Sequence, residues 1–159
     1  AEGNNYSNLT LTTPIGELWG HLIFYRTSTY TGDSAFMIKF MDSSDNELGI
    51  IGVQDTGYNV RQYDTGGSSG NSSDSTSIST PYHLFFHVKQ GTGANAVVEH
   101  WWGESTTRTT DVDRIRSDTD GTWTANISKI RIGQKQMSGT SVLIDQVIID
   151  DSEFTTVEA

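Results

Sequence analysis

Cysteine is absent from the 159 residues, so no disulfide framework and no thiolate zinc site can hold this chain together. Basic residues are scarce: ten Lys and Arg stand against twenty Asp and Glu, a formal net charge of −10. Such a field repels phosphate backbones and anionic lipid surfaces, and no Lys/Arg run overcomes it. We therefore expect neither nucleic acid nor a membrane as partner. No apolar run approaches the ~18 residues of a membrane-spanning helix. No stretch sustains a helical period, so no helix is expected. Hydrophobic residues make up 34% of the chain, below the ~45–50% of ordinary domains. Ser, Thr, Gly and Asn fill that deficit rather than Lys and Glu.

What is present reads as strands. Short apolar segments recur between clusters of Gly, Asn, Asp and Ser, the pattern of an antiparallel sandwich. Candidate strands are 17–26, 35–41, 47–54, 58–63, 82–89, 96–102, 127–133 and 141–149, and the expected total is about eight to ten. In Tyr82–Lys89 the alternation puts Leu84, Phe86 and Val88 toward a core and His83, His87 and Lys89 away from it. The stretch Asp64–Thr80 is almost purely Gly, Ser, Thr, Asn and Asp, and is expected to be a long exposed polar loop. Residues 111–124 are read as irregular. At ~100–150 residues per domain, one domain over 1–159 is the expectation. The opening Ala1, without methionine, suggests a processed protein or an excised module.

The closing segments Ile127-Ser128-Lys129-Ile130-Arg131-Ile132-Gly133 and Val142-Leu143-Ile144-Asp145-Gln146-Val147-Ile148-Ile149-Asp150 resemble the final strand pair of the concanavalin A-like lectin/glucanase (laminin-G-like) superfamily. The hairpin from Tyr82 to Glu104, and the early strands around Gly20–Tyr25 and Phe36–Asp42, fit the same order. The resemblance implies an all-β fold: a two-sheet antiparallel β-sandwich, or jelly roll, with one sheet concave. It also implies carbohydrate recognition as the commonest role, with glycoside hydrolases and polysaccharide lyases among the enzymatic relatives.

The residues themselves disfavour hydrolysis. Retaining glycosidases of this kind resemble one another in a Glu-x-Asp-x-x-Glu strand that sets a carboxylate pair ~5–5.5 Å apart, and no such string occurs. Lyase chemistry needs Arg, Gln or Asn to neutralise a uronate carboxylate and His or Tyr to move a proton. Asn59, Arg61 and Tyr63 alternate on one strand, and His83 and His87 are available, but the Arg-Thr-Glu-Leu-Arg run of similar alginate lyases is missing.

Sugar binding asks only for an aromatic platform flanked by hydrogen-bonding groups. We expect Arg61, Tyr63, His87, Glu99 and Trp101 to supply it, with Trp101 turned outward and its neighbour Trp102 inward. The four His make no HxH or HExxH pattern, so zinc is not expected. Calcium is carried by many proteins of this kind, and Asp42-Ser43-Ser44-Asp45-Asn46-Glu47 has the oxygens it takes, though the segment reads equally as a hairpin turn. The leading expectation is a non-catalytic carbohydrate-binding module or lectin at a cell or virion surface, with a glycan as partner. The alternatives are a structural or decoration domain of a virus or phage particle, in contact with other virion domains, and a lyase acting on an acidic polysaccharide.

Overall fold

The computed structural model describes residues 4–27, 35–53, 59–64, 69–91, 96–109, 115–121, 124–135 and 142–158. Among them there are strands and no helix. In chain order the strands are β1 (Asn4–Ile15), β2 (Glu17–Arg26), β3 (Ala35–Met41), β4 (Glu47–Val53), β5 (Asn59–Asp64) and β6 (Ser69–Ser75). They continue as β7 (Tyr82–Lys89), β8 (Ala96–Gly103), β9 (Ile115–Gly121), β10 (Ile127–Lys135) and β11 (Val142–Asp150). They form a six-stranded sheet in the order β1-β10-β3-β4-β5-β6 and a five-stranded sheet in the order β11-β2-β7-β8-β9. Every pairing between named strands is antiparallel.

The period-two alternation decides what faces inward. Leu18, Leu22 and Phe24 of β2, Leu84, Phe86 and Val88 of β7, and Val98 and Trp102 of β8 are buried in one cluster with Ile38 and Phe40 of β3, Ile51 and Val53 of β4, and Ile127 and Ile130 of β10. Phe40 and Phe86 meet at 5.7 Å between ring centroids, a contact that joins the two sheets. The Phe86 ring lies directly over Gly20: a Cβ built there would fall 2.0 Å from a ring carbon. Only a residue without a side chain fits under that ring.

Two sequence expectations need correction. The 64–80 segment is not a single exposed loop, because Ser69–Ser75 forms β6 on the edge of the six-stranded sheet. Thr76 beyond it is buried: its hydroxyl accepts a 2.8 Å hydrogen bond from Arg26 Nε, and its carbonyl takes a second from the same guanidinium. Polarity does not stop such a chain from pairing, since the ladder is made of backbone groups. The 111–124 region likewise contains β9 at Ile115–Gly121.

Candidate functional site

On the outer face of the five-stranded sheet, register aligns Trp19, His87 and Glu99 in one row and His21, Phe85 and Trp101 in the next. The structure thus brings His87, Glu99 and Trp101 to the same face, with Trp102 turned into the core, as alternation dictates. His87 is held at both nitrogens, Nδ1 to Glu99 at 3.1 Å and Nε2 to Glu17 at 2.8 Å. Its ring stacks on Trp19 at 3.9 Å, nearly parallel. Burial raises the Glu17 carboxyl, but hydrogen bonds and charges from His87 and Lys89 outweigh it and hold the group below the usual range.

This face is covered. Trp101 is 8% exposed, packed with Phe85, Val157, Trp19 and Phe154. The segment after β11 folds back over the face. Thr156 bridges Thr107, Arg108 N donates to Thr155 O at 2.6 Å, and Val157 N donates to Thr106 O at 3.0 Å. The Arg108 guanidinium lies 4.4 Å from the centre of the Trp101 ring. The expected stacking platform therefore carries part of its own chain.

Beside it, His21 Nε2 and His83 Nδ1 meet at 2.9 Å. Burial, reinforced by His83, drives His21 down to about 4 against an opposing hydrogen bond at the Gln146 backbone, and burial lowers His83 as well. Both imidazoles are therefore neutral at pH 7. A cleft of about 510 Å³ opens next to the pair, lined among others by His83, Phe85, Glu104, Ser105, Thr107 and Arg108.

Arg61 and Tyr63 do not join this group. They lie on β5, in the other sheet, so the five expected sugar-binding residues divide between two faces. The side chains of Arg61 and Tyr63 lie outside the described residues. Register nonetheless fixes their positions in the ladder. One row across the six-stranded sheet runs Asn8, Arg131, Lys39, Ile50, Tyr63, Ser69, and another runs Phe36, Gly52, Arg61, Asn71. Lys129, two residues from Arg131, stands in the row of Thr10 and Met41. Lys39, Lys129 and Arg131 thus lie on one side of one sheet, and Arg61 holds a ladder position in the same sheet.

Their partners differ. Lys39 pairs with Glu47 at 2.6 Å and sits over the Phe36 ring, while Lys129 pairs with Asp45. Arg131 has no carboxylate among the described residues. Its Nε donates to Asn8 Oδ1 at 3.0 Å, and its guanidinium lies 4.3 Å above the Tyr6 ring. Sequence reasoning missed this row because its members come from strands far apart in the chain, and β1 was not expected at all.

The Asp42–Glu47 segment closes as a turn. Asp42 accepts hydrogen bonds from Ser44 N, Asn46 N and Asn46 Nδ2, each at 2.8 Å, which hold its carboxyl below the usual range. Oδ1 serves the backbone and Oδ2 the Asn46 side chain, and among the described residues no group of three or more His, Cys, Asp or Glu could hold a metal ion.

No family model matches the sequence, and no curated protein sequence matches it significantly. Solved structures do resemble it. The endo-β-1,4-glucuronan lyase of the fungus Trichoderma reesei superposes with a TM-score of 0.64 at 12% identity, over 96% of this chain and 76% of that one. Alginate lyase Aly36B, in a complex with alginate trisaccharide, gives 0.62 at 16% identity over 93% and 75%. A tetrameric galectin from the ball sponge Cinachyrella sp. gives 0.57 at 5% identity over 91% and 98%. At such identities the likeness is one of fold.

Proposed function

We propose that this chain, a β-sandwich with the concanavalin A-like jelly-roll fold, binds an acidic polysaccharide across the outer face of its six-stranded sheet. The observation that carries the reading is Arg131. Its guanidinium is oriented by Asn8, backed by Tyr6 and free of any carboxylate among the described residues, in a chain of net charge −10. A guanidinium so oriented, with no carboxylate partner among the described residues, suits a ligand carboxylate, which it can take bidentately. Six ladder positions at ~4.8 Å spacing span about 24 Å, room for several sugar rings in line. The names of the similar structures, two lyases of uronate polymers and a galectin, are consistent with a glycan ligand, although fold alone does not assign function.

A lyase acting at the same face is the second reading, favoured by Tyr63 in the row of Arg131 and Lys39. Elimination would remove the C5 proton of a uronate while the C4 oxygen departs, leaving a C4–C5 double bond. The cations would stabilise the carboxylate as charge builds. All four His lie on β2, β7 and β8 of the other sheet, so a tyrosine would have to move the proton. The virion-surface alternative rests on composition and on a polar 64–80 segment suited to display, and gains no support from this geometry.

Binding of uronate polymers and their neutral counterparts, measured beside absorbance for unsaturated products, tests both readings. Arg131→Gln should weaken uronate binding roughly tenfold or more, the usual effect of losing a hydrogen bond to a charged group, while the melting temperature holds. Equal affinity for neutral and uronate polymers would overturn the proposal.

A further inference from the structure

Arg108 follows β8 and packs against the outer face of the opposite sheet. Its guanidinium lies 4.4 Å from the centre of the Trp101 ring and 5.3 Å from that of Trp19. Nη2 pairs with the Glu153 carboxylate, which is half exposed on the segment following β11, while Nη1 is buried with no acceptor among the described residues. A guanidinium presents a fork that matches both oxygens of a carboxylate, and Glu153 engages one arm of it. The other arm is left without a partner, a costly state for a buried donor. Arg108 also lines the cleft of about 510 Å³ that runs along Phe85, His83, Ser105 and Thr107.

We propose that this cleft is a second carbohydrate site, specific for a sugar bearing a single carboxylate, and that Glu153 stands in for that carboxylate when the site is empty. The sugar carboxylate would replace Glu153 and take both arms of Arg108. The hydroxyls of Ser105 and Thr107 and the His83 imidazole lie within the same cleft for the hydroxyl groups of the sugar. Displacement is feasible because an ion pair with an exposed partner contributes little to stability. Glu104, also on the lining, repels a second negative charge, so the site favours a monoanion over a polyanion. The inference stands apart from the basic face: the two sites are on different sheets and share no residue.

Tryptophan fluorescence can report occupancy, since Trp19 and Trp101 both lie against Arg108. The full chain would be titrated with a galactose trisaccharide carrying one galacturonate residue, its neutral galactose counterpart and a counterpart carrying one sulfate instead. The galacturonate should bind and the neutral sugar should not. Glu153→Gln should tighten galacturonate binding several-fold by removing the competitor, and Arg108→Gln should weaken it roughly tenfold or more. Arg131→Gln should leave this signal unchanged. Should Arg108→Gln fail to fold, Glu153→Gln decides alone, because its side chain is exposed. Unchanged affinity in folded Glu153→Gln overturns the proposal. So does binding lost in Arg131→Gln but kept in Arg108→Gln, which would leave only the basic face as a site. Preference for the sulfated sugar overturns the carboxylate assignment.

Discussion

Lowering the pH from 7 to 4.5 should weaken the fold through His21. The side chain is 0% exposed, with His83 at 2.9 Å and the Phe85 ring 4.8 Å away. A proton on it would be buried beside a second imidazole. In the folded chain His21 titrates at about 4, against 6.5 when free. A histidine whose folded pKa is depressed contributes its full stability above the unfolded value and loses it as pH falls from there toward the folded value. At ~1.4 kcal/mol per tenfold change in proton affinity, the whole loss is about 3 kcal/mol, of which about 2 kcal/mol is gone by pH 4.5. For a chain of this length that corresponds to a melting temperature lower by about 4–8 °C. The lowered carboxyls of Glu17, Asp42 and Asp150 act in a more acidic window, below their ordinary values of 4.5 and 3.8. Urea unfolding of the wild type and of His21→Leu across this range isolates the effect, because every other group titrates in both. The wild type should lose about 2 kcal/mol relative to the variant between pH 7 and 4.5. Parallel curves would refute the assignment of the acid response to the His21–His83 pair.

Other expectations follow from the packing. Phe86→Ala should cost about 3–5 kcal/mol, the usual loss for an emptied aromatic core position, and a loss below about 1 kcal/mol in chemical denaturation would contradict its placement. Gly20→Ala should cost about 1–3 kcal/mol, because the new methyl must displace the Phe86 ring. Combined with Phe86→Ala it should cost less than the sum, since the clash is then gone. Trp102→Ala should destabilise more than Trp101→Ala in thermal melts. Trp102 sits in the main core edge-on to Tyr82, whereas Trp101 belongs to the smaller cluster under the Phe154–Val157 segment. Equal losses would show that the small cluster is as integral to the fold as the main core.

The strands legible in the sequence are those with an apolar face to bury. Tyr82–Lys89 reads correctly because Leu84, Phe86 and Val88 must all enter the core, and Trp101 and Trp102 divide between faces for the same reason. The three strands that sequence reasoning missed, β1, β6 and β9, are all at sheet edges. An edge strand needs one hydrogen-bonded neighbour and little inward side-chain area, so Asn4–Ile15 and Ser69–Ser75 can be largely polar without losing the ladder. The candidate site was harder to foresee. Periodicity shows which residues share a strand face, but not which sheet that strand enters. It therefore could not separate Arg61 and Tyr63 from His87, Glu99 and Trp101, or gather Asn8, Lys39 and Arg131 from β1, β3 and β10 into one row. Nor does any pattern show that the chain beyond β11 returns over Trp101.

The strand order also has a kinetic consequence. Among the described residues β1 finds its one ladder neighbour in β10, and β2 is flanked by β7 and β11. As the chain emerges from a ribosome, Asn4–Ile15 has nothing to pair with until more than a hundred further residues have been made. Loops that long are slow to close, and a topology dominated by such distant pairings folds in milliseconds to seconds rather than microseconds. Through that interval Leu18, Leu22 and Phe24 of β2 wait for Leu84, Phe86 and Val88 of β7, and an unpaired, apolar strand can add to a neighbouring chain. The polar, threonine-rich character of β1 limits that hazard: the segment that waits longest for its partner is also one with little apolar surface to offer a stranger.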